Sequence, residues 1–286
     1  MKLALGTVQF GLNYGVANQQ GQVSQDEAKA ILEHAWSSGM DTLDTAIAYG
    51  DSEQRLGDIG IKNWRVVSKL PAVPVQSGDI SHWVTSSVTE SLQRLKVTRL
   101  YGLLLHQPQQ LMGRDGDELY RALQQLKDDG LIQKIGVSIY DPAELDLLSS
   151  RYQLDIVQAP FNIMDRRLIE SGWLARLTRQ NTELHVRSVF LQGLLLLKTN
   201  ARPEKFNRWQ TLWKRWDTWL AERNLHPLEV CLAYALSFPE IGRVIVGVDS
   251  SKQLIEILGA STAVSAEWPH DLWTDDIDLL NPSHWP

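Results

Sequence analysis

The sequence predicts a single closed (β/α)8 barrel, the TIM-barrel class of α/β fold, spanning residues 1–286. Two observations lead to this prediction. Short apolar runs alternate with longer amphipathic segments along the chain, which is the pattern of a parallel α/β fold. The 286 residues contain no linker, no low-complexity tract and no repeat other than this alternation, and a barrel of this class needs about 250. One domain therefore accounts for the whole length.

The apolar runs predict eight strands separated by helical segments, and this number favours a closed barrel over an open doubly wound sheet. The predicted strands are Leu3–Gly6, Thr42–Asp44, Val66–Lys69, Leu103–His106, Lys134–Ser138, Ile156–Gln158, Leu184–Ser188 and Val244–Val246.

Local signals mark where several helices begin. Ser24 stands three residues before Glu27, and Asp141 stands three before Glu144. This spacing predicts capping boxes, in which each side chain accepts a hydrogen bond from the other residue's backbone N–H. A further apolar helix is predicted from Pro227, because proline is favoured in the first helical turn.

Two segments fall outside the simple alternation. Residues 191–219 are rich in tryptophan, and four of these lie at i, i+4, i+7 and i+10: Trp209, Trp213, Trp216 and Trp219. That spacing favours a helix buried on one face over an aromatic ligand box. The tail, Val264–Pro286, has no clear period, and we expect it to pack irregularly on the barrel. It could instead border a substrate pocket, and the sequence leaves this alternative open.

Composition excludes several classes of function. The chain has 28 basic and 34 acidic residues, a net charge of −6, which argues against a nucleic-acid-binding surface. A single cysteine, Cys231, rules out an intrachain disulfide framework and fits a reducing compartment. No apolar run approaches the roughly 20 residues of a membrane helix, and the opening MKLALGTVQFG is too interrupted for a signal peptide. We therefore expect a cytoplasmic protein without a membrane partner.

Four polar side chains lie at or just beyond the ends of three consecutive predicted strands: Asp44, Tyr49, Lys69 and His106. The active sites of parallel barrels lie at the carboxyl-terminal rim of the strands, so the four are expected to meet there. A phenol beside an ammonium and a carboxylate is suited to proton transfer near neutral pH. Each residue alone has an ordinary structural interpretation, as an ion pair, a packed ring or a hydrogen-bonded histidine. The four together favour chemistry on a carbonyl or an alcohol.

The segment DTLDTAIAYGDSEQRLG resembles the aldo-keto reductase signature D-T-A-x-x-Y-G-x-S-E after the second strand. Lys69 in VVSKL and His106 in LLLH match that family's catalytic lysine and histidine in spacing and context. Further motifs of the chain resemble family motifs and occur in the same order as in the family: GTVQFG at 6–11, GVS at 136–138, VQAPFN at 157–162, SVFLQGLL at 188–195 and VG at 246–247. The resemblance covers nearly the whole chain.

The resemblance implies an NAD(P)(H)-dependent oxidoreductase that reduces an aldehyde, a ketone or a sugar carbonyl, or runs the reverse reaction. Tyr49 would be the general acid and base, Lys69 would stabilise its anion, Asp44 would hold Lys69, and His106 would orient the substrate oxygen. Hydride transfer builds negative charge on the carbonyl oxygen, so a proton donor and a positive charge are needed beside it.

The resemblance also implies where the dinucleotide binds, although the chain has no G-x-G-x-x-G motif. Ser138 and Gln158 would bind the carboxamide, the loop after the seventh strand the pyrophosphate, and 247–253 the adenosine end, with a helix N-terminus at 250–251 favouring a phosphate. The implied contact residues are Gly6, Thr7, Asp44, Ser138, Gln158, Ser188, Phe190, Leu191, Gly193, Gly247, Val248, Asp249, Ser250 and Gln253.

The chain departs from the family pattern at two places. Ile139 stands where the family has asparagine after GVS, which removes one implied carboxamide contact. Lys252 is the only cation in the loop 247–253, although a 2′-phosphate is best paired with arginine, and Asp249 could suit a ribose hydroxyl of NAD(H). The cofactor commonly used in the family nevertheless slightly favours NADP(H).

Two other classes of function remain open from the sequence. One is a nucleotide-binding regulatory subunit with the same fold and little turnover, similar to the aldo-keto-reductase-like subunits of potassium channels. The other is a barrel enzyme without a nicotinamide cofactor, but the sequence shows no His, Asp or Glu cluster with metal-ligand spacing. In the main interpretation the partner is a small carbonyl or sugar molecule, and its identity would be set by the loops at 9–14 and 107–114, the tryptophan-rich segment and the tail.

Overall fold

The structure is a computed structural model that describes residues 1–16, 18, 20–75, 78–261 and 267–285. Eight parallel strands close into a barrel in chain order, so the predicted fold class is confirmed. The strands are β1 (Leu3–Gly6), β2 (Thr42–Asp44), β3 (Arg65–Leu70), β4 (Gly102–Leu105), β5 (Ile135–Ser138), β6 (Ile156–Pro160), β7 (Glu183–Arg187) and β8 (Ile241–Gly247).

Each predicted strand is present, and its ends differ from the prediction by a few residues at most. His106 and Ser188 lie just beyond β4 and β7 rather than within them. The barrel closes where β1 pairs with β8, with Leu3 opposite Val244 and Gly6 opposite Gly247. The strands are buried almost throughout, as expected for a parallel sheet covered by helices.

Helices surround the strands in the order expected of βα units. In the described residues they are α1 (Val8–Gly11), α2 (Gln25–Ser37), α3 (Ser52–Ile59), α4 (Ile80–Leu95), α5 (Gly116–Asp128), α6 (Glu144–Arg151), α7 (Arg167–Glu170), α8 (Trp173–Arg179), α9 (Gln210–Glu222), α10 (Pro227–Leu236), α11 (Ser251–Ala260) and α12 (Ile277–Leu280). None of them is long and apolar enough to cross a membrane.

Each predicted capping box forms one of its two hydrogen bonds. Ser24 Oγ accepts the backbone N–H of Glu27 at 3.2 Å and so begins α2. Before α6, Glu144 accepts the N–H of Asp141 at 2.9 Å, while the Asp141 carboxylate accepts the N–H of Ala143 at 2.8 Å. These bonds satisfy backbone donors that the first helical turn leaves without partners.

The end of the tryptophan-rich segment forms α9, which contains Trp213, Trp216 and Trp219, while Trp209 directly precedes this helix. Trp213, Trp216 and Trp219 are buried, and the Trp216 indole donates to the carbonyl of Leu195 at 3.2 Å. These rings are therefore part of the core and not a ligand box.

The described part of the tail packs on the rest of the molecule. The Trp285 ring contacts Phe206 with centroids 4.9 Å apart, and Asp276 accepts hydrogen bonds from Arg208 and from the Trp209 indole. No residue of 267–285 lines the cavity described below. The expectation of irregular packing is confirmed for these residues; residues 264–266 and 286 lie outside the described part.

A polar cluster lies at the amino-terminal ends of the strands, opposite the rim where the four candidate residues lie. The Glu183 carboxylate, at the start of β7, accepts a hydrogen bond from Tyr101 (2.7 Å), lies 2.9 Å from His185 Nε2 and forms an ion pair with Lys134. Burial alone would raise the pKa of Glu183, but hydrogen bonds from His185, Lys134 and Tyr101 hold it well below its ordinary value. The Glu183 carboxylate therefore links residues at the amino-terminal ends of β4, β5 and β7.

Candidate active site

The four candidate residues of the tetrad are brought together at the carboxyl-terminal rim. Asp44 is the last residue of β2, Lys69 lies near the end of β3, and His106 directly follows β4. Tyr49 lies in the turn between β2 and α3. The order of the strands around the barrel makes β2, β3 and β4 neighbours, so the side chains meet although 62 residues separate the first from the last.

Asp44 and Lys69 form a buried ion pair. The Lys69 Nζ donates to Asp44 Oδ2 at 2.7 Å and to the carbonyl of Thr45 at 3.0 Å. Burial alone would lower the pKa of Lys69, but the charges of Asp44 and Tyr49 outweigh burial and raise it. Lys69 is therefore an ammonium ion at neutral pH, held in one position by two acceptors.

Tyr49 and His106 complete the group. The Lys69 Nζ lies 5.0 Å from the centroid of the Tyr49 ring, and the Tyr49 and His106 rings meet edge to face with centroids 5.9 Å apart. Burial, together with the charges of Lys69 and Arg187, lowers the pKa of His106 to about 4. The imidazole is thus neutral at pH 7 and can act as a hydrogen-bond donor without a charge.

The turn that carries Tyr49 is fixed by a close approach of two backbone segments. A Cβ on Gly11 would lie 1.8 Å from the carbonyl oxygen of Tyr49, and a Cβ on Gly50 would lie 2.4 Å from the carbonyl oxygen of Gly11. Ser52 Oγ donates to the carbonyl of Thr7 at 2.9 Å. Only glycine allows this contact, so GTVQFG and the AYGDS turn determine together where the phenol lies.

Ser138 and Gln158, expected at the cofactor carboxamide, adjoin the tetrad. Gln158 Nε2 donates to Asp44 Oδ1 at 2.6 Å, and Ser138 Oγ donates to Gln158 Oε1 at 3.2 Å. Both residues are buried. They form a chain of hydrogen bonds that holds the second Asp44 oxygen while Lys69 holds the first, and their contact with a carboxamide stays a prediction.

A cavity of about 330 Å³ opens beside the tetrad. Its wall includes Asp44 and Tyr49, and many of the residues expected at the dinucleotide: Gly6, Thr7, Ser188, Phe190, Gly193, Gly247, Asp249 and Gln253. Leu191 and Val248 are instead buried beneath the surface, and Ser250 caps α11 by accepting the N–H of Gln253 at 3.2 Å. These three expected contacts, together with Ser138 and Gln158, do not line the cavity.

The loop after β7 has an unusual backbone conformation. Ser188, Leu191 and Gln192 have φ values of 61°, 48° and 52°, a region that side chains other than glycine rarely adopt. Asn162 Nδ2 donates to the carbonyl of Ser188 at 3.1 Å. Backbone strain of this kind clusters at functional sites, and here it lies in the cavity wall.

Several cavity residues were not identified from the sequence as site residues. Arg187, the last residue of β7, lines the cavity, as do Gln9, Gln192 and Glu256. Tyr14, from a loop expected to influence substrate choice, accepts a hydrogen bond from Gln192 at 2.9 Å. A signal for Arg187 was present, because it is a charged residue directly before the last residue of the predicted strand Leu184–Ser188.

Comparison with known proteins defines the class. The sequence model of the Aldo/keto reductase family matches residues 2–268. The chain belongs to the aldo/keto reductase family of oxidoreductases.

Individual relatives agree with this assignment. The chain is 25% identical to the uncharacterised oxidoreductase YqkF of Bacillus subtilis, with 92% of this chain and 91% of that protein covered. It is also 25% identical to a D-threo-aldose 1-dehydrogenase of a Pseudomonas species, with 95% and 94% covered. Among solved structures, the holo form of the aldo-keto reductase AKR11C1 of Bacillus halodurans shares the fold, with a TM-score of 0.72, 20% identity, and 93% and 88% coverage.

Proposed function

We propose that this protein is an NAD(P)(H)-dependent oxidoreductase that interconverts an aldehyde, ketone or sugar carbonyl and the alcohol, with Tyr49 as general acid and base. One observation carries the proposal: the buried Lys69–Asp44 pair lies beside Tyr49 and His106 at the edge of a cavity. A relative that is named a D-threo-aldose 1-dehydrogenase keeps a sugar among the candidate substrates.

The residues have separate roles in the proposed reaction. The dinucleotide, when bound, supplies or accepts the hydride. In reduction Tyr49 donates its phenolic proton to the carbonyl oxygen, and the Lys69 ammonium stabilises the negative charge that forms on the phenol oxygen. Asp44 and Gln158 keep Lys69 in position, and the neutral His106 donates a hydrogen bond that orients the substrate oxygen. In oxidation Tyr49 takes the proton back.

The cavity wall fits a dinucleotide. Gly6, Gly193 and Gly247 present backbone without side chains. Asp249 lines the cavity, and its buried Oδ1 has no hydrogen-bond partner among the residues that the structure describes. A carboxylate oxygen can accept only from a donor such as a hydroxyl or an amine. The ribose hydroxyl groups of a nucleotide would supply that donor.

The charges near α11 favour NAD(H) over the NADP(H) that family habit suggests. The Glu27 carboxylate accepts the backbone N–H of Ser251, so the helix N-terminus expected to attract a phosphate already holds an anion. Asp249 and Glu256 add two carboxylates to the cavity wall. A 2′-phosphate would be repelled here, whereas a 2′-hydroxyl could donate to Asp249.

A fluorescence titration with NADH and, separately, NADPH tests the cofactor, and we expect tighter binding of NADH. Turnover on a panel of aldehydes and ketones then tests the reaction. Tyr49→Phe should lower kcat by about 10² to 10⁴, because it removes the proton donor. Its dinucleotide affinity should stay close to that of the wild type.

Tyr120→Phe is the matched control, since the Tyr120 hydroxyl donates to the carbonyl of Gln153 on the outside of the barrel. A kcat of Tyr49→Phe close to that of the wild type would refute the assigned role. Tight dinucleotide binding without turnover on any carbonyl of the panel would favour a regulatory subunit instead.

A further inference from the structure

Arg187 places a positive charge in the cavity wall without a neighbouring negative charge. Three other shielded arginines are ion-paired: Arg94 with Glu53, Arg167 with Asp165 and Arg202 with Asp217. Arg166, which does not line the cavity, instead donates to the carbonyls of Ile163 and Pro269. Arg187 forms no ion pair within 4.0 Å among the residues that the structure describes. A half-buried cation without a partner is costly, so its presence in a cavity requires an explanation.

Neutral contacts fix the guanidinium of Arg187 in place. One terminal nitrogen donates to the carbonyl of Ile139 at 3.0 Å and the other to Ser188 Oγ at 3.3 Å. The group lies over the Tyr140 ring, with 4.5 Å from Cζ to the ring centroid. A guanidinium has five N–H donors, so donors remain for a ligand, and they are already oriented.

The position of Arg187 is close to the chemistry. It shares the cavity wall with Tyr49 and Tyr14. Its charge contributes to the lowered pKa of His106 and also acts on Tyr14. Asp249 lies in the loop after β8 and Glu256 lies in α11, so the acidic part of the wall comes from segments that do not contribute to the tetrad. Arg187 thus adds a positive charge to a cavity wall that also includes the carboxylates of Asp249 and Glu256, and it lies close enough to the tetrad to act on His106.

We propose that Arg187 binds an anionic group of the substrate, so that this enzyme acts on carbonyl compounds that carry a carboxylate. The planar fork of a guanidinium matches two carboxylate oxygens, and such charge-assisted pairs are stronger than neutral hydrogen bonds. The inference rests on the proposed oxidoreductase function. A phosphate of the dinucleotide offers the same oxyanion chemistry, and the experiment must separate these two sources.

The test uses two pairs of compounds, and each pair consists of a carboxylate and a neutral amide of nearly the same shape. The pairs are 4-formylbenzoate with 4-formylbenzamide and 4-oxobutanoate with 4-oxobutanamide. Their binding to the protein saturated with oxidised dinucleotide is measured by calorimetry, and their kcat/KM is measured with reduced dinucleotide. We expect at least one carboxylate to bind about tenfold or more tightly than its amide. Arg187→Gln should remove that difference, and Arg187→Lys should restore part of it.

Arg243→Gln is the matched control, because Arg243 is a half-buried arginine that pairs with Asp41 and does not line the cavity. It should keep the preference for the carboxylate. Equal binding of both members of each pair, or a preference that survives Arg187→Gln, would overturn the proposal. So would a loss of dinucleotide affinity in Arg187→Gln with the carboxylate preference intact, since Arg187 would then contact the cofactor. Failure of the wild type to bind any dinucleotide would refute the proposed function itself.

Discussion

The buried ion pair of Lys69 and Asp44 affects both the stability of the fold and the proposed reaction. Both side chains are almost fully buried, and removing two charges from water costs several kcal/mol for each ion. Their mutual contact, the carbonyl of Thr45 and the amide of Gln158 offset that cost. The result is an ammonium ion held beside Tyr49, in the place where the proposed reaction needs a positive charge.

Lys69→Met should therefore lower both activity and stability. The free energy of unfolding should fall by about 3–5 kcal/mol, because Asp44 becomes a buried carboxylate without a cation. Any residual turnover should show a changed pH profile, since the charge on the Tyr49 oxygen is no longer compensated. Denaturant unfolding and pH–rate curves measure the two effects.

The double variant Lys69→Met/Asp44→Asn separates the effect on stability from the effect on activity. It removes both charges, so much of the lost stability should return while the activity should not. Recovery of activity together with stability would mean that Lys69 has only a structural role.

At the scale of elements, Glu53 explains how the helix after Tyr49 is anchored. Glu53 lies in the first turn of α3, and its buried carboxylate accepts from Ser68 of β3 at 2.7 Å, from Ser91 of α4 at 2.7 Å and from Arg94 of α4 at 2.7 Å. A Cβ on Gly57 would lie 2.0 Å from the carbonyl oxygen of Arg94, so α3 and α4 also touch closely. One carboxylate thus ties three elements beside the tetrad.

Glu53→Gln should lower the free energy of unfolding by about 3 kcal/mol, because one amide cannot replace a carboxylate that accepts from two hydroxyl groups and from two N–H groups of the Arg94 cation. Glu90→Gln is the control: it lies 3.8 Å from the same Arg94 but is 68% exposed, and should change stability by less than about 0.5 kcal/mol. Thermal unfolding of the two variants measures the difference. Equal effects would contradict the anchoring role of Glu53.

The sequence predicted those elements whose signal is local. Short apolar runs predicted every strand of the barrel, and the tryptophan spacing predicted α9. The tetrad was predictable too, because Asp44, Lys69 and His106 end consecutive strands and parallel strands end at one rim.

The remaining part of the site depends on contacts between distant segments. Glu27 occupies the N-terminus of α11 from 224 residues away, and Gln192 reaches the Tyr14 hydroxyl from 178 residues away. No period or spacing in the sequence encodes such contacts. Gln158 was expected to face a cofactor, yet its amide is bonded to Asp44. Only the closed barrel reveals which strand-end side chains contact each other.

At the scale of the whole molecule, the barrel separates its two polar clusters. The tetrad lies at the carboxyl ends of the strands, and the cluster around Glu183 lies at the amino ends, with layers of apolar side chains between them. In barrels of this class, residues at the carboxyl rim act on the substrate, and residues at the opposite end stabilise the fold.

Glu183→Gln tests this separation. The pKa of Glu183 is depressed below its ordinary value of 4.5, so its carboxylate stabilises the fold above about pH 4.5 and loses that contribution as the pH falls toward the folded-state pKa. At pH 7 the variant should lose about 3 kcal/mol, because Lys134 and His185 lose their anionic partner. As the pH falls below 4.5 toward the folded-state pKa, the difference in stability between variant and wild type should shrink.

The same variant should leave dinucleotide affinity and kcat/KM unchanged under conditions where it is folded, because Glu183 lies at the far end of the barrel from the tetrad. Tyr49→Phe should show the reverse, with normal unfolding and a strongly lowered kcat. Denaturant unfolding from pH 3 to pH 8, measured beside NADH binding, checks both. If Glu183→Gln weakened NADH binding as much as it weakened the fold, the two ends of the barrel would be coupled, and stability and chemistry could not be assigned to separate clusters.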